Sequence, residues 1–318
     1  MPRQAFFMKN LKLNLLTYLK GIAMGAADVV PGVSGGSIAL ITGIYERLLD
    51  SINAIAVEVI QLFKTGDFRN FWLKVNGTFL FFLLFGIMTS LVVLANLITY
   101  LIHVYPIPVW SFFCGLIIIS ALLILRDIRR WNLIAIISLP LGVVFAYLVT
   151  DMTPMSSENT LLSIFFAGMI AICAMILPGI SGSFLLLIMG KYEFILNALT
   201  ERNFLIIAVF GSGCIIGLLS FSRVISWFLK HYHAITIALL SGFMLGSINK
   251  LWPWKEVLSY RVSSSGEQEP FLTENILPNH YLDITGQEPQ FLMAIFSFFI
   301  GILLVIGIER LAYYLKTQ

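Results

Sequence analysis

Two short segments of the chain combine proline, glycine and serine in nearly the same order, each within apolar sequence. They are PGVSGGS at 31–37 and PGISGS at 178–183. Proline cannot continue a helix, glycine permits a sharp turn, and serine often begins a helix. The free N–H groups at a helix start carry partial positive charge and suit anions such as phosphate. The pattern therefore predicts an anion site that is built from two copies of one motif.

Few charged residues lie near the two motifs or inside apolar sequence. Asp28 precedes Pro31 by three residues, and there it is expected to be protonated, paired or part of a cation site. Glu46 and Glu193 recur at equivalent positions, which makes them candidates for coupling or gating, with interfacial charge as the alternative. Arg223 is expected either to meet an anion at the inner leaflet or to extend to the membrane interface.

The composition is that of a membrane protein. Of the 318 residues, 58% are hydrophobic and 12% are charged, and the mean hydropathy is +0.91. Soluble domains carry about 25% charged residues. Uncharged runs that suit membrane spans lie at 77–102, 108–125, 131–150, 203–222 and 290–308, with a shorter one at 234–249. We therefore predict an all-α polytopic membrane protein with about six transmembrane helices and two re-entrant or broken-helix hairpins at the motifs.

The chain also contains an internal repeat. Aligning the two motifs matches Gly21 with Gly168, and further along Tyr105 matches Tyr232 at a shorter spacing. The first copy therefore carries an insertion, which we place after Arg47. Three spans separate the copies, and an odd number inverts the second copy relative to the first, an arrangement common in transporters. The sequence thus predicts an inverted-topology repeat.

Short loops predict the orientation, and the repeat predicts the division of the chain. Arg126, Arg129 and Arg130 cluster in one tight connection, which is typical of the cytoplasmic side and puts both termini there. The predicted parts are an interfacial amphipathic helix (1–20), a first repeat (21–130, with its motif at 21–47 and an amphipathic insertion at 48–76), a connecting span (131–150), a second repeat (161–250, with its motif at 168–196), an extracytoplasmic polar segment (251–289) and a final span with a cytoplasmic tail (290–318).

Several other functions are disfavoured by the residues available. The net charge of +3 is spread over segment ends, so nucleic acid is not an expected partner. Cys114, Cys173 and Cys214 all lie in apolar runs, where they are expected to be small buried side chains and not a disulfide framework or a metal site. No cofactor is expected.

Two alternatives stay open at this point. One is an ion-coupled carrier or channel for a small soluble anion, which would use the same half-helix site. The other is an intramembrane serine hydrolase, because GVSG (32–35) and GISG (179–182) match a G-x-S-G pattern. A nucleophilic serine needs a base at comparable depth, whereas the four histidines lie in or beside predicted loops.

The motifs with their flanks support a more specific assignment. The segments GAADVVPGVSGGSIALITGIYERLL (25–49) and ILPGISGSFLLLIMGKYEFIL (176–196) resemble a bacterial family of polyprenyl-phosphate translocases, the PopT type. The resemblance covers essentially the whole chain. It implies a lipid transporter, not an enzyme, in the bacterial cytoplasmic (inner) membrane. Its substrate would be undecaprenyl phosphate, returned from the outer to the cytoplasmic leaflet as the carrier lipid of cell-wall and surface-polysaccharide synthesis.

The resemblance suggests roles for the residues singled out above. Asp28 is the candidate to bind a co-transported proton or sodium ion. Arg47 or Arg223 is expected to receive the phosphate at the inner side. The expected phosphate cradle consists of the small polar residues of both motifs, namely Ser34, Gly35, Gly36, Ser37, Ser181, Gly182 and Ser183.

Overall fold

The computed structural model describes residues 3–30, 33–152, 158–262 and 268–317. The helices and strands are α1 (Arg3–Val29), α2 (Gly35–Ile41), α3 (Tyr45–Thr65), α4 (Phe68–Lys74), α5 (Gly77–Val93), α6 (Ala95–Val104), α7 (Pro106–Arg126), α8 (Leu133–Asp151), α9 (Leu161–Ile176), α10 (Gly182–Ile188), α11 (Tyr192–Thr200), α12 (Phe204–His231), α13 (His233–Gly246), α14 (Ile248–Leu251), β1 (Lys255–Val262), β2 (Gln268–Asn275), α15 (Tyr281–Thr285) and α16 (Phe291–Thr317).

The described residues form a polytopic helical membrane protein. Five segments are long and apolar enough to cross a bilayer, namely α7, α8, α12, α13 with α14, and α16. Two helix pairs are sharply bent, α4–α5 by 69° and α10–α11 by 107°, and each is a broken span or a re-entrant loop. The predicted all-α polytopic fold class with bent helix pairs is confirmed. Only the α10–α11 bend lies at a motif, because the other bent pair, α4–α5, lies at the end of the insertion, and the predicted span 77–102 is divided between α5 and α6.

Both motif copies form the same local structure. The short helices α2 and α10 are each followed, two residues after their last residue, by a glycine in the left-handed conformation. These are Gly43 with φ 68° and Gly190 with φ 65°. A side chain other than glycine is strained at such angles. The next helix then begins at the aligned tyrosines, Tyr45 for α3 and Tyr192 for α11. The matching sequence thus produces a matching short helix, reversal and second helix.

The helices on either side of the motifs also correspond. A Cβ atom at Gly21 of α1 would strike the Leu83 carbonyl of α5, and one at Gly168 of α9 would strike the Phe210 carbonyl of α12. Small residues therefore let the first helix of each copy approach a later helix of the same copy closely, as is common in membranes.

The second sequence match is visible in the backbone. Tyr105 joins α6 to α7 with φ −129° and ψ 57°, and Tyr232 joins α12 to α13 with φ −132° and ψ 46°. The predicted insertion accounts for the different spacing, because α3 is longer than α11 and is followed by α4. The first copy therefore has an additional helical excursion between its motif and its next span.

The last helix of each half packs on the other half. Gly115 of α7 lies against the Phe298 carbonyl of α16, and Gly242 of α13 lies against the Leu139 carbonyl of α8. Helix α8 comes after α7 in the first half, and α16 comes after the matching helix α13 in the second half. The helices α8 and α16 therefore occupy equivalent places. We call this arrangement the exchanged third helices.

Two segments differ in detail from the sequence-based description. Helix α1 runs without interruption from Arg3 to Val29, so the predicted interfacial helix continues, from Arg3 on, directly into the first motif segment. Its location at the membrane interface stays a prediction. In the polar segment 251–289, β1 and β2 form an antiparallel hairpin. Its base is fixed by indole hydrogen bonds, from Trp252 to the Ile276 carbonyl and from Trp254 to the Pro289 carbonyl, both 2.8 Å.

Candidate functional site

The two motif copies lie directly against each other. The Ser34 hydroxyl donates to the carbonyl of Met175 at 3.1 Å, and the Ser37 hydroxyl accepts the backbone N–H of Gly179 at 3.0 Å. A Cβ atom at Gly36 would lie 2.6 Å from the carbonyl oxygen of Ile176, so only glycine fits at this contact. Residues 141 positions apart thus meet at a contact whose first-copy serines, Ser34 and Ser37, are buried. Pro31 and Gly32 lie outside the described residues.

In the first copy, the chain supplies its own anion. The Asp28 carboxylate accepts the backbone N–H of Gly35 at 2.7 Å, at the start of α2. The Ser34 hydroxyl accepts the N–H of Gly36 at 3.1 Å, so Ser34 caps α2 as its sequence predicts. The carboxyl group of Asp28 thus has a backbone hydrogen-bond partner, while its protonation and any cation binding stay predictions. The first groups that an external anion would contact therefore already have acceptors.

The second copy differs at the same positions. Ser181 occupies the N-cap position of α10, but its side chain does not cap the helix. The expectation that both serines cap is thus wrong for Ser181, whose hydroxyl pairs with that of Ser183 at 2.9 Å. Met175 stands where the first copy has Asp28. Two hydroxyl groups that bond to each other, with an apolar residue in place of the carboxylate, can instead turn toward an incoming anion.

A lysine next to the second copy was not singled out from the sequence. The Lys250 ammonium group on α14 lies 4.6 Å from the ring centroid of Phe184, the residue that follows Ser183. Lys250 is partly buried and has no ion pair with a carboxylate of the described residues. A cation in such surroundings suits an anionic ligand. Its only sequence signal is its place at the end of the 234–249 apolar run.

A second lysine extends this positive region. The Lys255 ammonium donates to the Lys250 carbonyl at 2.6 Å and lies 4.6 Å from the ring centroid of Trp110. Burial, with the neighbouring Lys250 charge, lowers the pKa of Lys255 to about 7. Lys255 lies on β1, outside the membrane-spanning helices. A lysine with a pKa of about 7 changes its protonation state near neutral pH.

The remaining candidates lie away from the paired motifs. Arg47 is exposed at the start of α3, with its guanidinium carbon 4.3 Å from the ring centroid of Phe79. Arg223 is exposed on α12. No hydrogen bond or ion pair joins either arginine to a motif residue within the described ranges. Their role at the inner side stays a prediction.

The two glutamates also lie at the surface. The Glu46 carboxylate is 3.7 Å from the imidazole of His233, and Glu193 is exposed at the start of α11. A nearby ion pair, between Lys230 and Asp50 at 2.8 Å, joins α12 to α3 in the same region as Glu46. These positions fit the interfacial charge that was the alternative for Glu46 and Glu193.

The motif serines lack the surroundings of a nucleophile. The hydroxyl of Ser34 bonds to backbone groups and that of Ser181 to Ser183, and no histidine bonds to either serine in the described part of the chain. Cys114, Cys173 and Cys214 are free thiols, and Cys114 is buried whereas Cys173 and Cys214 are only partly buried. The geometry suits the binding of an anion through hydroxyl and ammonium groups, and it offers no paired base for acyl transfer.

Comparisons with known proteins point to one family. Residues 24–269 match the family profile described as VCA0040-like, undecaprenyl phosphate translocase-like. A polyprenyl-phosphate transporter of Vibrio cholerae serotype O1 is 48% identical over 298 residues, 94% of this chain and 97% of the relative. A polyprenyl-phosphate transporter of Staphylococcus aureus is 35% identical over 256 residues, 75% of this chain and 86% of the relative. No solved structure gives a significant match.

Proposed function

Because this chain belongs to the undecaprenyl phosphate translocase-like family, we propose that it moves undecaprenyl phosphate from the outer to the cytoplasmic leaflet of the bacterial cytoplasmic membrane. The protein acts as a transporter and not as an enzyme. Its work is to provide a polar path for a phosphate headgroup through hydrocarbon, where an unpaired charge is very costly.

The observation that carries this proposal is the asymmetry between the two motif copies. In the first copy the carboxyl group of Asp28 accepts a backbone N–H at the start of α2, whereas the second copy has the hydroxyl pair of Ser181 and Ser183, and Lys250 lies against the ring of the next residue, Phe184. A phosphate headgroup takes the place in the second copy that the carboxylate takes in the first. Asp28 thus serves as an internal example of the anion that the motif accepts.

The path across the membrane follows from the charges at its two ends. With the cluster of Arg126, Arg129 and Arg130 on the cytoplasmic side, Lys250 lies toward the outer side. The phosphate enters there, moves past the paired motifs, and leaves near Arg47 or Arg223, which remain the proposed inner receivers. Gly35, Gly36 and Ser37 of the first copy and Gly182 of the second form the wall along which it passes.

Inward movement of an anion requires an energy source. A negative-inside potential opposes each transferred negative charge by about 2.3 kcal/mol per 100 mV. We propose that a co-transported proton or sodium ion offsets this cost, with Asp28 as its binding group. In Asp28→Asn the amide oxygen can still accept the Gly35 N–H, so the fold is expected to persist while transport loses its response to an imposed proton or sodium gradient. An unchanged response in this variant would remove Asp28 from coupling.

The decisive experiment is leaflet exchange of labelled undecaprenyl phosphate by the purified protein in liposomes. We expect exchange by the unmodified protein and a strong decrease in a Ser181→Ala/Ser183→Ala double variant, with Ser212→Ala, an exposed serine of α12, as the control. Exchange that is insensitive to the double variant would contradict the assigned headgroup site. No exchange, with transport of soluble phosphate instead, would favour the soluble-anion carrier.

A further inference from the structure

A large apolar cavity lies beside the first motif. Its volume is about 860 Å³, and its walls are formed by α1, α2, α6, α7 and α16. Apart from Thr42, Tyr105 and Ser297, every side chain that lines it is apolar. Helix α2, which begins after Ser34, contributes Ile38 and Ile41 to one wall.

Both buried and exposed residues line this cavity. Ala27 and Val305 are 2% and 3% exposed, whereas Tyr105, Leu292 and Leu304 are 49%, 82% and 47% exposed. Most of the exposed lining residues are spread along α16, so the cavity is a cleft that opens along this helix toward the surrounding hydrocarbon chains.

Small side chains of α1 line the cleft next to the first motif. Alignment of Gly21 with Gly168 places Ala23 and Ala26 of α1 opposite Ile170 and Cys173 of α9, whereas Ala27 aligns with Ala174. All three alanines line the cleft. At two of these three positions the first copy thus carries the smaller side chain.

We propose that this cleft binds the isoprene units of a polyprenyl phosphate that are nearest its headgroup, while the rest of the tail stays in the lipid. The inference rests on the proposed function and adds a tail site to it. Two observations favour this occupant: the wall formed by α2, which connects the cleft directly to the motif, and the wholly hydrocarbon chemistry of a polyprenyl chain, which needs no polar partner.

The size of the cleft agrees with several isoprene units. Its volume of about 860 Å³ lies within the roughly 300–1,000 Å³ that is typical of ligand pockets, which is large enough for more than one isoprene unit. An anion with a short tail would leave most of the cleft unfilled. The cleft thus provides a means to distinguish a polyprenyl phosphate from a small soluble anion.

The test is photo-crosslinking in liposomes with the full-length protein. The probe is a polyprenyl phosphate that carries a benzophenone in an isoprene unit near the phosphate, and the modified peptides are mapped by mass spectrometry. We expect crosslinks to α1, α7 and α16 within the cleft, which excess undecaprenyl phosphate suppresses and excess phosphatidylglycerol does not. The cleft variants Ala26→Phe and Ile300→Phe, on opposite walls, are expected to reduce the crosslink yield about tenfold. Leu303→Phe, an exposed exchange on α16 outside the cleft, is expected to leave it unchanged.

Each other outcome has a defined meaning. Suppression by phosphatidylglycerol to the same extent would show a general lipid site and overturn the proposal. Crosslinks outside the cleft, in a protein that still exchanges undecaprenyl phosphate between leaflets, would overturn the tail site and leave the proposed function intact. Absence of leaflet exchange by the unmodified protein would instead refute the proposed function itself.

Discussion

Replacement of Lys250 by methionine tests the headgroup site most directly. Methionine keeps an unbranched side chain of similar length that can still pack on Phe184, and it removes only the ammonium group. In the unliganded protein this removes a cation–π contact with the ring 4.6 Å away, which is worth about 0.5–1 kcal/mol at such sites. We therefore expect only a small change in the free energy of unfolding.

The effect on substrate binding should be much larger. A hydrogen bond between charged partners contributes about 1.5–3 kcal/mol. Its loss corresponds to a dissociation constant that is larger by about 10- to 150-fold. The assay is titration of the protein in nanodiscs with undecaprenyl phosphate, followed by leaflet exchange in liposomes. Lys250→Arg, which keeps the charge, is expected to retain most of the affinity.

The matched control for this variant is Lys74→Met. Lys74 lies on α4 and forms an ion pair with Glu58 at 3.0 Å, remote from the motifs along the chain. It carries the same charge, so it reports any effect of the net charge alone. Equal affinities of Lys250→Met and the unmodified protein, with both folded, would refute the assignment of Lys250 to the phosphate.

Two further predictions follow from the close contact of the motifs and from the second buried lysine. Gly36→Ala should destabilise the protein by about 1–3 kcal/mol, the usual cost of overpacking, because its Cβ would lie 2.6 Å from the Ile176 carbonyl oxygen. Thermal unfolding measures this effect, with Gly211→Ala as the control. A Cβ atom at Gly211, within α12, would have nothing within 4 Å, so this variant should be neutral or stabilising. Equal destabilisation by the two variants would contradict the packing argument. Since the pKa of Lys255 is lowered to about 7, it is mostly neutral at pH 8, and a nearby phosphate raises that pKa. Substrate binding at pH 8 should therefore take up a proton, seen calorimetrically as a binding enthalpy that depends on the buffer, and Lys255→Met should abolish this dependence.

The repeated motif made a large part of the fold predictable. Proline and glycine at fixed spacings specify where a helix must stop, and such local constraints are legible in a single sequence. The break between α9 and α10 at Pro178 and Gly179 and the match of Tyr105 with Tyr232 follow in this way, whereas the reversals at Gly43 and Gly190 appear only in the structure. Apolar run length likewise indicated the spans, because the thickness of the bilayer fixes it.

The partners of individual polar groups were not predictable in the same way. Asp28 precedes its partner Gly35 by seven residues, across a break whose path the sequence does not give. Lys250 reaches Phe184 from α14, a helix that packs on α7 and α8, so this is a tertiary contact between distant segments. The hydroxyl of Ser181 had a local alternative in Ser183, and this competition displaced the predicted cap.

The exchanged third helices tie the two halves of the chain together. A half that ended after α8 would expose the face of α7 that α16 covers, and its own last helix would have no α13 to pack on. Each half therefore contributes a wall to the other. Movement of one half as a rigid body would separate α16 from α7 or α8 from α13, unless each exchanged helix moved with the half on which it packs.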